Sequence, residues 1–283
     1  MRKQQRVMTL VIAAATAMTL AACGSSDAEG SSANTEFRII ASEPCSGLDP
    51  NTSVTQASLR VMELMYDTLI DYDEDNTLIP MIAESWDVSD DGLTYDFQIR
   101  ENAAFSDGTT ITADDVAYSV QRMSEGEALG RQLEVLEDIE VVSDTEVRFT
   151  LATASRVFLN TLAATGSAAI LNEEAVEGDE DYFLLPQATS GPWEIQENVP
   201  QSHATLLANE NYWNEGYPQF EKITYTFGTD TPAMATAVET GSADMTYNMV
   251  PRDAVRLAEA GSIQYFEAPC SGLLAVRRKI ILF

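Results

Sequence analysis

The opening of the chain decides which residues are left to fold. Arg2, Lys3 and Arg6 make a basic start, an apolar run from Val7 to Leu20 follows with only threonines interrupting it, and Leu20-Ala21-Ala22-Cys23 closes it. A charged start, a short apolar stretch and small residues before a cut make a secretory signal. The run is short for a membrane-spanning helix, which needs about 20 apolar residues. A cysteine directly after the small residues predicts a lipobox, in which the Cys23 thiol takes a diacylglycerol and becomes the first residue after cleavage. Residues 1–22 then form a lipoprotein signal peptide. Residues 23–36 (CGSSDAEGSSANTE) form a lipidated, flexible Gly/Ser-rich tether. The expected location is extracytoplasmic, with lipid holding the protein to the outer face of the cytoplasmic membrane.

Charge narrows the partners. The full chain carries 16 Lys+Arg against 45 Asp+Glu, a formal net charge of −29. The leader holds basic residues and no acidic ones, so the remainder is more negative still. Such a surface repels phosphate backbones and anionic headgroups, which argues against nucleic acid and against direct adsorption to lipid. It suits a well-solvated monomer. Of the cysteines, Cys23 is assigned to lipid. Cys45 and Cys270 remain, each inside a Pro-Cys-Ser-Gly-Leu pentapeptide at 44–48 and 269–273. Outside the membrane a Cys45–Cys270 disulfide is permitted, and two free thiols are the alternative.

Residues Phe37–Ala41 read as a buried strand. Gln56 to Ile70 places Leu59, Met62, Met65, Tyr66 and Leu69 at helical spacing. Trp86–Val88 and Thr94–Arg100 flank the turn Ser89-Asp90-Asp91-Gly92 as a hairpin, and Ile139–Val142 with Glu146–Leu151 form another. Thr112 caps a helix running to about Met123, with Asp114 and Asp115 in the first turn where the helix dipole favours them. Ser155–Ala163 is a short helix. Trp193–Val199, His203–Ala208 and Ile223–Phe227 are strands, and Thr231–Thr240 is a helix stopped by Gly241. Asp244–Asn248 is extended, Pro251 opens a helix, and Ile263–Glu267 is a last strand. The mixture is α/β or α+β, not a repeat array.

Chemistry finds little support. His203 is the one histidine, and no serine sits in Gly-x-Ser-x-Gly. No Cys-x-x-Cys offers a zinc site, and no phosphate-binding glycine loop opens a helix. Asp90-Asp91, Asp114-Asp115 and Glu173-Glu174 read as turns, caps and solvated faces in so acidic a chain. No metal, no cofactor and no enzymatic activity are expected, which leaves a binding protein.

Residues 80–120, PMIAESWDVSDDGLTYDFQIRENAAFSDGTTITADDVAYSV, resemble the signature of the extracellular solute-binding proteins of ABC importers, family 5 (peptide/nickel class). Leu48-Asp49-Pro50, Thr189-Ser190-Gly191-Pro192-Trp193, Asn209–Trp213 and Glu239–Asp244 follow in that family's order, so the likeness covers about residues 37–268. It implies two lobes closing on a cleft by a hinge, a small solute as cargo, and a permease and ATPase as partners. Oligopeptides or dipeptides are the first expectation; a nickel chelate or a sugar stays open. A surface receptor of the same fold is the alternative, as is a non-functional fragment. Trp86, Tyr95 and Phe97 are expected in the core, and Gly92 and Gly108 in turns.

By the same likeness Thr246, Tyr247 and Asn248 would pair with a bound peptide, the ring packing and the amide donating and accepting. Ser53, Val54, Thr55 and Gln56 are weaker candidates, as is Ser271. Family members are nearly twice as long. Residues 37–268 would therefore supply a first lobe, with the second largely missing, and 269–283, ending Arg277-Arg278-Lys279-Ile280-Ile281-Leu282-Phe283, an aberrant or truncated crossover. One wall of a cleft would hold ligand weakly.

Overall fold

The computed structural model describes residues 35–263 except Val54, Glu74, Asn248 and Ser262. β1 (Glu36–Ile40) is followed by α1 (Gln56–Met65) and the small hairpin β2 (Ile70–Tyr72) and β3 (Leu78–Pro80). β4 (Ala83–Val88) and β5 (Thr94–Ile99) lead into α2 (Ala113–Glu125) and the single turn α3 (Gly130–Leu133). β6 (Leu136–Ser143) and β7 (Glu146–Leu151) precede α4 (Phe158–Leu162), α5 (Glu173–Gly178) and a 3-10 turn, Tyr182–Leu184. Then come β8 (Trp193–Val199), β9 (His203–Ala208), β10 (Lys222–Thr226), α6 (Thr231–Thr240), β11 (Met245–Thr246) and α7 (Pro251–Glu259). The class is the mixed α/β expected.

Two main sheets carry the fold. A five-stranded sheet runs β11-β1-β10-β9-β8, and a four-stranded sheet runs β4-β5-β7-β6. In the first, β1 is parallel to both β10 and β11, while β10-β9 and β9-β8 are antiparallel. The second is antiparallel throughout. Alternation explains it: along β5 and β7 every second residue is buried, and Phe97, Phe149 and Phe158 pack edge-on within that core. α2 closes it with Val116, Val120 and Met123. A second core lies under the five-stranded sheet, where Val61, Met62 and Met65 of α1 meet Ile39, Leu206, Ile223 and Tyr225.

Local signals hold at several ends. Thr112 and Asp115 form a reciprocal capping box on α2, an arrangement that stabilises a helix start by about 1 kcal/mol. Gly241 takes the left-handed conformation (φ 74°) that stops α6. Tyr95 and Phe97 are buried as expected, and Trp86 is partly so.

Two helices differ from the sequence pattern. The spacing that predicts a helix to Ile70 ends in fact at Met65, with Tyr66 extended (φ −126°, ψ 132°). The Gly191 N–H donates to the Met65 carbonyl (2.8 Å) and the Asp67 N–H to Ser190 Oγ (3.0 Å), so a distant segment takes the groups that would continue the helix. Leu69 and Ile70 keep helical spacing but are buried in the other core. The Ser155–Ala163 helix shortens to Phe158–Leu162, because Ser155 Oγ accepts from the Val157 N–H and closes a local turn instead. The strand expected at Ile263–Glu267 lies outside the described residues beyond Ile263.

Candidate ligand-binding surface

The five-stranded sheet sets the geometry of the site. Arg38 of β1 grips Asp244 just before β11: its N–H and Nε reach Oδ2 at 2.8 and 3.0 Å, and a terminal nitrogen reaches Oδ1 at 2.9 Å. The same guanidinium donates to the Gly241 carbonyl (2.7 Å). Burial works to raise the Asp244 carboxyl, but the Arg38 hydrogen bonds and charge outweigh it and hold the group below its usual range. This clamp fixes the register Ile39–Met245 and Ile40–Thr246. The chain therefore delivers Tyr247 to one place.

There Tyr247 lies nearly parallel to Tyr225 of β10, with ring centroids 6.4 Å apart and planes 12° apart. Arg60, rising from α1, puts its guanidinium carbon 4.3 Å from the Tyr247 ring centroid. That is cation–π geometry. Burial lifts the Tyr247 phenol to about 12, with the charge of Arg60 pulling the other way. Two open depressions meet at this stack. One is lined by Glu43, Gln56, Arg60, Tyr225 and Tyr247. The other, the larger, has Arg60, Glu63, Asp67, Trp193 and Tyr247 in its walls.

The sequence-derived candidates divide. Tyr247 and Gln56 line the surface. Thr246 is beside it, but its hydroxyl donates to the Ile40 carbonyl at 2.8 Å. Thr55 caps α1, accepting from the Ser58 N–H. Ser53 is buried in the turn after Asp49, whose carbonyl accepts from its N–H at 2.9 Å. Val54, Asn248, Ser271, Cys270 and Cys23 lie outside the described residues. Among the described residues Cys45 is a buried free thiol, 3.5 Å from Ser58 Oγ. Among the described residues no group of three or more His, Cys, Asp or Glu could hold a metal. No described helix is long and apolar enough to cross a membrane.

Arg60, Tyr225 and Trp193 were not among the expected site residues. Gln56, Arg60 and Glu63 recur at helical spacing on α1, so one polar stripe was visible. A polar stripe on an amphipathic helix ordinarily faces water, and only the fold brings β11 up to it.

Other family-like segments brace the scaffold. Asp49 takes both terminal nitrogens of Arg122 on α2 (2.8 and 3.0 Å). Asp67 Oδ2 accepts from Tyr212 Oη (2.8 Å) and Trp213 Nε1 (2.9 Å), with Arg100 stacked over Trp213. Gly191 packs directly on the end of α1, where a Cβ would come 2.5 Å from the Met65 carbonyl carbon.

Known proteins share this fold. The family described as bacterial extracellular solute-binding proteins, family 5 Middle, matches residues 77–276, a span running past Cys270. The nickel-binding periplasmic protein of Escherichia coli K12 is 31% identical over 202 residues, covering 68% of this chain and 37% of that protein. The glutathione-binding protein GsiB of Salmonella paratyphi A is 27% identical over 225 residues, covering 78% of this chain and 44% of that one. This chain thus spans less than half the length of these two relatives. Among solved structures, the binding protein AgaA from A. tumefaciens R10, in complex with agropinic acid, superposes with a TM-score of 0.75 at 25% identity, covering 79% of this chain and 46% of that chain. DppA from Helicobacter pylori in complex with the peptide STSA gives 0.71 at 22% identity, covering 79% and 48%, and speaks for the fold alone. With the family match spanning most of its length, the chain belongs to the bacterial extracellular solute-binding proteins, family 5.

Proposed function

We propose that this chain supplies one wall of the solute-capturing component of an ABC importer, that its cargo is a short peptide, and that Cys23 carries the lipid holding it at the membrane. The loaded protein then delivers cargo to a permease driven by a cytoplasmic ATPase. The observation that carries the reading is the surface at the end of β11, where Tyr247, Arg60 and Gln56 line one open depression. An aromatic face, an amide and a guanidinium suit an extended peptide: the ring packs, and the polar groups meet carbonyl and N–H groups. Relatives named for glutathione, itself a peptide, and for nickel agree with a small, polar cargo.

Uptake tests it. Cells lacking the gene should lose uptake of labelled tri-alanine while taking up free alanine normally; unchanged tri-alanine uptake overturns the peptide reading. In the same cells a Cys23→Ser protein should leave the membrane fraction, and its retention there would overturn the lipid anchor.

A further inference from the structure

Arg60 and Trp193 share the larger depression, and both have donors to spare. The Arg60 side chain is 22% exposed. Among the described residues its guanidinium makes one loose ion pair, 3.6 Å to Glu63, and stacks over Tyr247 without a hydrogen bond. A guanidinium has five N–H donors in a planar fork, so most of its capacity is unspent. Trp193 is only 5% exposed, and among the described residues its indole Nε1 finds no acceptor. A buried indole N–H ordinarily has a partner, and leaving one unmade costs about 1–3 kcal/mol.

The acidic groups around this depression are differently placed. Glu63 accepts from Thr165 Oγ1 at 3.2 Å and faces Arg60. Asp67 Oδ2 takes two donors from Tyr212 and Trp213. Glu43 is exposed at the rim of the neighbouring depression. The carboxylates are thus occupied or at the edge, while a cation and a buried donor remain unfilled. Complementary to that pair is an acceptor with negative charge, and a planar carboxylate fits a guanidinium fork best.

We propose that Arg60 is the specificity-determining residue of this surface, selecting solutes that carry a carboxylate, with the Trp193 indole N–H as a second donor to the bound solute. The inference rests on the solute-capture reading and adds which end of the solute faces α1. Arg60 acts by contact and Tyr247 holds its guanidinium in place. For a peptide the group is the C-terminal carboxylate; for a sugar acid it is the acid function, and the chemistry at Arg60 is the same.

The test uses the full chain, labelled with ¹⁵N, and three probes: tri-alanine, its C-terminal amide, and gluconate. The protein has three tryptophans, so the indole N–H signals are few and separable. Tri-alanine should move the Trp193 indole signal downfield and bind at least about tenfold more tightly than the amide, a difference of about 1.4 kcal/mol. Arg60→Gln should erase that preference, and Arg60→Lys should keep part of it. Circular dichroism and an unchanged melting temperature show that each variant folds. Competition by gluconate would assign the site to carboxylates in general; its failure would assign the site to peptide termini. Equal binding of acid and amide, or a preference surviving Arg60→Gln, overturns this inference and leaves peptide capture standing. If no probe perturbs the chain, both readings fall.

Discussion

Replacing Gly191 by alanine should destabilise the protein by about 2–4 kcal/mol. The added Cβ would sit 2.5 Å from the Met65 carbonyl carbon and 2.7 Å from both the Met65 oxygen and the Tyr66 nitrogen. Carbon atoms in contact prefer about 3.5–4.0 Å, so roughly 1 Å must be found. The crowding atoms are backbone, and the Met65 oxygen already accepts from Gly191 itself at 2.8 Å. Relief requires the segment around Gly191 to lift from the end of α1. That forfeits one backbone hydrogen bond, about 0.5–1.5 kcal/mol, and strains the packing of Met65 and Trp193 by about 1–3 kcal/mol. At about 2–4 °C per kcal/mol for a domain of this size, the melting temperature should fall by about 4–16 °C. Gly178 is the control: it ends α5, and a Cβ there meets nothing within 4 Å. Gly178→Ala should be neutral or stabilising by up to about 1 kcal/mol. Urea unfolding followed by circular dichroism and tryptophan fluorescence gives both numbers. A Gly191→Ala protein within about 0.5 kcal/mol of the parent would refute the close-approach argument.

Two further outcomes are expected. Asp49→Asn should cost about 1–3 kcal/mol, because it removes the charge that engages Arg122 through two short bonds; a double-mutant cycle with Arg122→Met that shows no coupling would contradict this. Burial lifts the phenols of Tyr118 and Tyr247 from 10.0 to about 12, and Tyr182, Tyr212 and Tyr225 are raised further still. A raised folded-state value means stability is full below pH 10 and is lost as pH climbs from there through about 12, since the unfolded chain ionises first. Urea midpoints that stay flat across that interval would contradict the burial of these rings.

Much of the fold is legible wherever the deciding atoms are close in sequence. Thr112 and Asp115 announce the start of α2 because both partners of the capping box lie within one turn. The hairpin β4-β5 shows because Gly92, at φ 70°, accepts the turn between two alternating runs. The end of α1 is not legible, because its terminators, Ser190 and Gly191, are far along the chain while Leu69 and Ile70 stay in helical phase. The site divides in the same way. Tyr247 becomes a candidate only through a family resemblance carried by its neighbours. Arg60 was not, since a single arginine on the polar face of a helix reads as solvated until a ring is set beneath it. Trp193 read as a strand residue, and nothing in a sequence marks an indole N–H as unpartnered.

The order β11-β1-β10 has a consequence in time. The four-stranded sheet draws its strands from one continuous stretch between Ala83 and Leu151, so it can close soon after that stretch is made. β1 is translated before all the other strands described, yet it pairs with β10 and β11, which are the last of the described strands to be translated: Glu36 waits for Lys222, and Ile40 for Thr246. Pairings this distant in sequence form slowly, because the intervening chain must be gathered first. Until they form, β1 is an unpaired apolar segment with nothing to hold it. Assembly of the five-stranded sheet is therefore a late event among the described elements, and the surface that carries Tyr247 is completed after the four-stranded sheet.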